Sequence, residues 1–155
     1  MELLLLRHAD AETQAASDDE RVLSVKGEAQ AKKVARFIEA HELAPGLILT
    51  SPVRRAFQTA TIVASHVRAE LITVRWAACG MHPESATAEL RAYANFDRLI
   101  LVGHEPDFST LTAHLLGMRD GAHVVVRKAS LTLLELGALA PAGARLHWSL
   151  PSRFM

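Results

Sequence analysis

The sequence predicts an α/β domain in three layers, α/β/α, built on a mostly parallel sheet with an antiparallel edge strand. Two observations predict it. Four short aliphatic runs alternate with segments whose apolar residues recur at helical spacing. In the last third the alternation gives way to short strand-like runs separated by glycine and proline turns, and short connections favour antiparallel pairing. A chain of 155 residues is one ordinary domain in size, so residues 1–155 are read as a single unit.

From the N-terminus, residues 2–6 are an aliphatic run containing four leucines, the pattern of a strand buried on both faces. The run stops at Arg7-His8, and a polar stretch covers residues 9–20. Ser24 is a good N-cap for a helix over 26–42. Its apolar stripe is Ala31, Val34, Ala35 and Ile38, with Lys32, Lys33, Arg36 and Glu39 opposite. Pro45-Gly46 stops that helix. Leu47-Ile48-Leu49 is the second strand, closed by Thr50-Ser51. Ser51 is predicted to cap the next helix, with Pro52 at its first position. Arg54, Arg55, Gln58 and Thr59 fall in its first two turns, and Ile62, Val63 and Val67 pack.

Residues 71–74 form the third strand, and 75–82 a loop broken by Gly80. Pro83 starts a helix that runs to Tyr93. The fourth strand, 99–102, stops at Gly103-His104. Glu105-Pro106 opens a helix to Leu116, which Gly117 terminates. Residues 124–126, 131–136 and 145–150 are the closing strands.

Composition narrows the function classes. Half the residues are hydrophobic, so the chain can bury a core, roughly 70% of its unfolded surface at this size. Lys+Arg and Asp+Glu number 17 each, a balance that predicts neither a nucleic-acid nor a membrane partner. Cys79 is the only cysteine, which excludes an intrachain disulfide and fits a reducing cytoplasm. The apolar run at the N-terminus is too short for a signal peptide or a membrane span, and a cytoplasmic location is expected.

Three predicted strand ends carry chemistry. The first presents Arg7 and His8, the second Ser51 with Arg54 and Arg55 close behind, the fourth Gly103 and His104. Ligands of open α/β sheets bind outside the carboxyl ends of the strands. Two histidines, at least two arginines and two helix N-termini would converge there. That set suits a phosphoryl group: guanidinium forks grip its oxygens, helix N-termini offer free N–H groups, and a neutral histidine can become phosphorylated. Taken singly, His104 reads as an interior histidine, Arg54 and Arg55 as solvated, and Ser51 as a cap. No G-x-G-x-x-G follows the first strand, against a nicotinamide enzyme. The eight histidines lack zinc spacing, so no metal and no cofactor is expected.

Three stretches resemble the histidine phosphatase superfamily, the phosphoglycerate-mutase-like fold. Arg7-His8-Ala9 is similar to its Arg-His-Gly signature. Residues 51–59, with Ser51, Pro52, Arg55, Ala56, Gln58 and Thr59, are similar to its Ser-Pro-x-x-Arg-Ala-x-Gln-Thr motif. Gly103-His104-Glu105-Pro106 resembles its second-histidine motif. Motif spacing, the 18–27 segment with Arg21 and the short length resemble the small SixA-like phosphohistidine phosphatases. The resemblance implies that His8 is the phosphorylated nucleophile, that Arg7 and Arg55 clamp phosphate oxygens, and that His104 binds the phosphoryl group. It also places Arg21, Ser51 and Glu105 among substrate-binding residues.

Two departures matter. Ala9 replaces the usual glycine and would be strained if that position needs positive φ. Ester-cleaving relatives usually supply a carboxyl proton donor after the third strand, which an alcohol leaving group needs. Residues 76–82 contain none, and Glu84 and His82 are the substitutes at hand. The missing acid favours a P–N over a P–O substrate. The expected activity is removal of phosphate from phosphohistidine on a protein, a histidine phosphotransfer domain being one candidate partner. The alternatives are a phosphatase of small phosphomonoesters and a non-catalytic module that binds phosphorylated proteins.

Overall fold

Leu3, Leu4, Leu5 and Leu6 are all 0% exposed, because the first strand, β1 (Glu2–Arg7), has a strand on either side and helices on both faces. We describe the fold from a computed structural model covering all of residues 1–155. The other strands are β2 (Leu47–Thr50), β3 (Leu71–Thr73), β4 (Arg98–Gly103), β5 (Leu131–Leu136) and β6 (Ala144–Leu150), and the sheet order is β3-β2-β4-β1-β5-β6. The helices are α1 (Val25–Ala40), α2 (Arg54–Val67), α3 (Pro83–Leu90) and α4 (Asp107–Leu116). The alternation of the pleat splits β1 between two cores. Leu4 and Leu6 pack with α1 and α2, and Leu3 and Leu5 with α3 and α4. Burial of each leucine stabilises the fold by roughly 1.5–3 kcal/mol. The three-layer α/β/α prediction holds.

The antiparallel side of the sheet is made by the predicted strands at 131–136 and 145–150. β5 runs antiparallel to β1, and β6 antiparallel to β5. The strand expected at 124–126 does not form. Its chain turns past the end of β1 instead, where the Val126 carbonyl accepts a bond from Arg7 Nη1 at 2.8 Å while the Val126 side chain packs into the core. No helix is long and apolar enough to cross a membrane.

Ser24 caps α1 as predicted, its Oγ accepting from Gly27 N–H at 3.0 Å. Gly117, in the left-handed region at φ 70°, ends α4. The predicted start of α2 is corrected: the helix begins at Arg54, with Val53 rather than Ser51 at the N-cap position. Ser51 Oγ accepts from Val53 N–H at 3.2 Å and faces His104, so residues 51–53 form a turn before the helix.

Parallel register sets the site. Leu6 pairs with Val102, and Arg7 with Gly103, while Thr50 pairs with Val102 from the other side. The register continues one residue past the strands. His8 N–H donates to the Gly103 carbonyl at 2.9 Å, and Ser51 N–H to the Val102 carbonyl at 3.0 Å. Arg7-His8, Thr50-Ser51 and Gly103-His104 therefore leave the sheet side by side at one edge. Ala9 is fully buried, outside the positive-φ region, and donates its N–H to Thr59 Oγ1 at 3.1 Å. Alanine is unstrained there, and the position requires only a small side chain.

Candidate active site

His8 and His104 face each other with ring centroids 5.3 Å apart. Arg55, in the first turn of α2, reaches back so that its Nε donates to His8 Nε2 at 3.3 Å. These three side chains are 6%, 2% and 5% exposed in the order His8, His104, Arg55. The other nitrogen of His8, Nδ1, lies 2.8 Å from the Ala9 carbonyl. A carbonyl can only accept, so Nδ1 carries the hydrogen and Nε2 presents its lone pair to the pocket. That is the tautomer a nitrogen nucleophile needs.

Both rings are neutral. Burial pulls His8 down to about 3, with His104, Arg55 and Arg7 adding repulsion. Burial, then Arg55, pulls His104 down to about 4. Free histidine titrates at about 6.5. As pH falls through that value the unfolded chain takes up protons that the folded chain does not, so these groups cost the fold stability from there toward pH 3–4. In a proton NMR titration both rings are expected to be unprotonated at pH 5. A midpoint near 6.5 for either would overturn this.

Two buried polar atoms here have no partner in the protein, Arg7 Nε and His104 Nδ1. Buried polar groups are rarely left so, and both belong to residues that leave the sheet at its carboxyl edge. Ser51 Oγ lies 2.8 Å from His104 Nε2. With Ser51 donating, His104 Nδ1 carries a hydrogen that nothing in the chain accepts, a donor suited to a phosphoryl oxygen. Ser51 itself is fully buried, with its hydroxyl against the His104 ring.

Arg55 is engaged by a residue that motif matching missed. Asp18, on a short 3-10 turn (Asp18–Glu20), accepts from Arg55 Nη1 through its carbonyl at 2.7 Å and from Nη2 through its carboxylate at 3.0 Å. The same carboxylate accepts from Arg21 Nη1 at 2.9 Å. Arg21, then Arg55, hold the Asp18 carboxyl below its usual range. Arg21 is thus brought near Arg55 through Asp18, and its Nε donates to the Glu12 carbonyl. For a phosphoryl group to take both outer nitrogens of Arg55, Asp18 must give way. The only sequence signal for it was its place in the segment containing Arg21. Cys79 also reaches the site, its Sγ 3.7 Å from Arg55 Nη2.

The remaining candidates separate. Glu105 accepts from Ser109 N–H at 3.0 Å, and its charge acts on Arg7; burial pushes its carboxyl up. Glu84 lies 3.8 Å from His114, an α3–α4 contact away from the histidine pair, and His82 is exposed at the N-cap of α3. Neither substitute for the missing acid sits against His8. Asp107 ties the 79–81 turn to α4, accepting from Gly80 N–H at 3.0 Å.

A buried histidine whose unprotonated Nε2 accepts from a guanidinium, a second buried histidine and a second arginine come together at the carboxyl edge of the parallel strands, a set of groups suited to a phosphoryl group. The chain belongs to the histidine phosphatase superfamily. A profile of that superfamily (branch 1) matches residues 3–77. An uncharacterized protein of Picosynechococcus sp. is 35% identical over 146 residues, covering 89% of this chain and 87% of its own. Among solved structures, the protein histidine phosphatase SixA complexed with tungstate superposes with a TM-score of 0.88 at 20% identity, covering 99% of both chains. The alpha-ribazole phosphatase from Shigella flexneri gives 0.81 at 18% identity, covering 99% of this chain and 97% of its own. At these identities the structures establish the shared fold.

Proposed function

We propose that the protein dephosphorylates phosphohistidine on a protein, through a phosphorylated His8. The observation that carries the nucleophile is the Ala9 carbonyl on His8 Nδ1, which leaves Nε2 unprotonated and facing Arg55. In the first step Nε2 attacks phosphorus, the substrate's P–N bond breaks, and the departing imidazole takes a proton from water. Arg7, Arg55 and His104 hold the phosphoryl oxygens. In the second step water attacks phosphorus, the His8–P bond breaks with its electron pair returning to Nε2, and phosphate leaves with the water's protons, one of which neutralises the hydroxide left by the first step. Positioning and electrostatics supply most of the catalysis in such transfers, and here the positive charge comes from the two guanidinium groups. The substrate class rests on leaving-group chemistry. Imidazole departs readily, whereas an alkoxide needs a proton donor, and the carboxyl closest to Arg55, Asp18, is ion-paired and held in its ionised form.

One observation favours an ester phosphatase instead. Glu105 is a half-buried carboxyl pushed above its usual range by burial, near Arg7, and a carboxyl of that kind can donate a proton. Turnover of a phosphohistidine protein and of an alkyl phosphate, with wild type and Glu105→Gln, separates the two. The proposal expects the phosphohistidine substrate to be favoured by at least about 100-fold in kcat/KM, in the range of one general-acid contribution, with the variant changing that figure less than threefold. Comparable turnover of the alkyl phosphate, lost in Glu105→Gln, would establish the ester reading.

A further inference from the structure

Beside the active site lies an open groove of about 460 Å³ with no hydrophobic residue in its lining. Its walls come from four places in the chain: Arg7 at the end of β1, Lys26 in the first turn of α1, Arg127 and Lys128 after the turn that replaces the expected strand, and Arg153 near the C-terminus. Asp10 is the one carboxylate among them, and it is taken by Lys128 at 2.7 Å. Lys26, Arg127 and Arg153 form no ion pair with any carboxylate. In a chain whose charges balance overall, this is a local excess of unpaired cations. Arg7 lines the groove and its charge also acts on His8 and His104, so the groove and the phosphoryl site share one guanidinium.

We infer that this groove docks an acidic polypeptide segment that flanks the phosphorylated residue of a protein substrate; this rests on the phosphatase reading above. The lining decides between polyanions. No aromatic ring lines the groove itself, and the exposed Phe154 ring at its edge is covered by the Arg153 guanidinium at 4.6 Å. Gln30 Oε1 accepts from Asp10 N–H, which leaves its amide N–H groups to donate to the carbonyls of a peptide backbone, a partner that a bare polyphosphate lacks. Carboxylates spaced along a peptide meet Lys26, Arg127 and Arg153 while the phosphoryl group reaches Arg7 and His8. Complementarity of exposed charges acts mainly on encounter and falls with salt.

The test uses three synthetic phosphohistidine peptides that differ only in their flanks, glutamate, glutamine or lysine, with a small aryl phosphate as control. For the wild type at low salt, kcat/KM is expected to fall by about tenfold or more from the glutamate to the lysine peptide, carried by KM and shrinking as salt rises. In the triple variant Lys26→Glu, Arg127→Glu, Arg153→Glu the ranking is expected to invert, with aryl phosphate turnover unchanged. These three side chains are exposed and lie outside the catalytic set. Equal kcat/KM for the glutamate and lysine peptides in wild type would overturn the inference, as would a variant that keeps the wild-type ranking. If the aryl phosphate is cleaved and no phosphohistidine peptide is, the substrate reading fails on its own. The groove is then read from fluorescence anisotropy of the unphosphorylated glutamate peptide, which should bind wild type and not the triple variant. Competition by inorganic polyphosphate without any preference among the peptides would assign the groove to a small polyanion instead.

Discussion

Replacing His8 with alanine is expected to reduce turnover of any phosphorylated substrate by at least about 10⁴-fold, the scale of losing a covalent nucleophile. The reason is local. Of the two imidazoles, only His8 presents an unprotonated nitrogen free of a donating hydroxyl, since His104 Nε2 is matched to Ser51. The side chain makes only two hydrogen bonds, to the Ala9 carbonyl and Arg55 Nε, so its loss leaves the register of β1, β2 and β4 intact. Phosphate should still bind His8→Ala, because Arg7, Arg55 and His104 remain. Acid quenching of the wild type during turnover, followed by mass spectrometry, should trap one phosphoryl group on the peptide containing His8. Retention of turnover within tenfold in His8→Ala, with no trapped adduct in the wild type, would mean that water attacks the substrate directly.

The site was legible because the residues that perform the chemistry sit directly at the ends of strands. A buried parallel strand announces itself as an aliphatic run, and Arg7-His8, Ser51 and Gly103-His104 each come at the end of such a run. Once β1, β2 and β4 are neighbours in register, their convergence is geometric. The features that could not be read depend on side-chain reach across the fold. Asp18 lies 37 residues from Arg55 on a segment with no periodic pattern, and nothing local says that its carboxylate turns inward. Ser51 before Pro52 has the ordinary form of a helix cap, and only the buried imidazole 53 residues away draws its hydroxyl elsewhere. Residues 124–126 have strand propensity, but the carbonyl of Val126 is claimed by Arg7, a tertiary bond that overrides propensity.

Gly27→Ala is expected to destabilise the protein by about 3 kcal/mol or more, at the upper end for overpacking. In an isolated helix the change would gain up to about 1 kcal/mol, so the sign is set by packing. A Cβ at this position would lie 1.9 Å from the Asp10 carbonyl oxygen and 2.8 Å from its carbon. Those are backbone atoms, and they are pinned on every side. The Asp10 carbonyl accepts from Ser24 N–H, its N–H donates to Gln30 Oε1, and its carboxylate accepts from Ser24 Oγ and Lys128 Nζ. Moving Asp10 away would strain the chain two residues from His8 and loosen one wall of the cationic groove. Gly80→Ala is the control. There φ is +88° but nothing lies within 4 Å of the added carbon, so only the conformational penalty of about 1–2 kcal/mol applies. Urea midpoints for both variants measure the difference. If Gly27→Ala costs less than Gly80→Ala, the contact between α1 and the chain after His8 is loose, and the close fit of helix to strand end that holds the nucleophile in place must be abandoned.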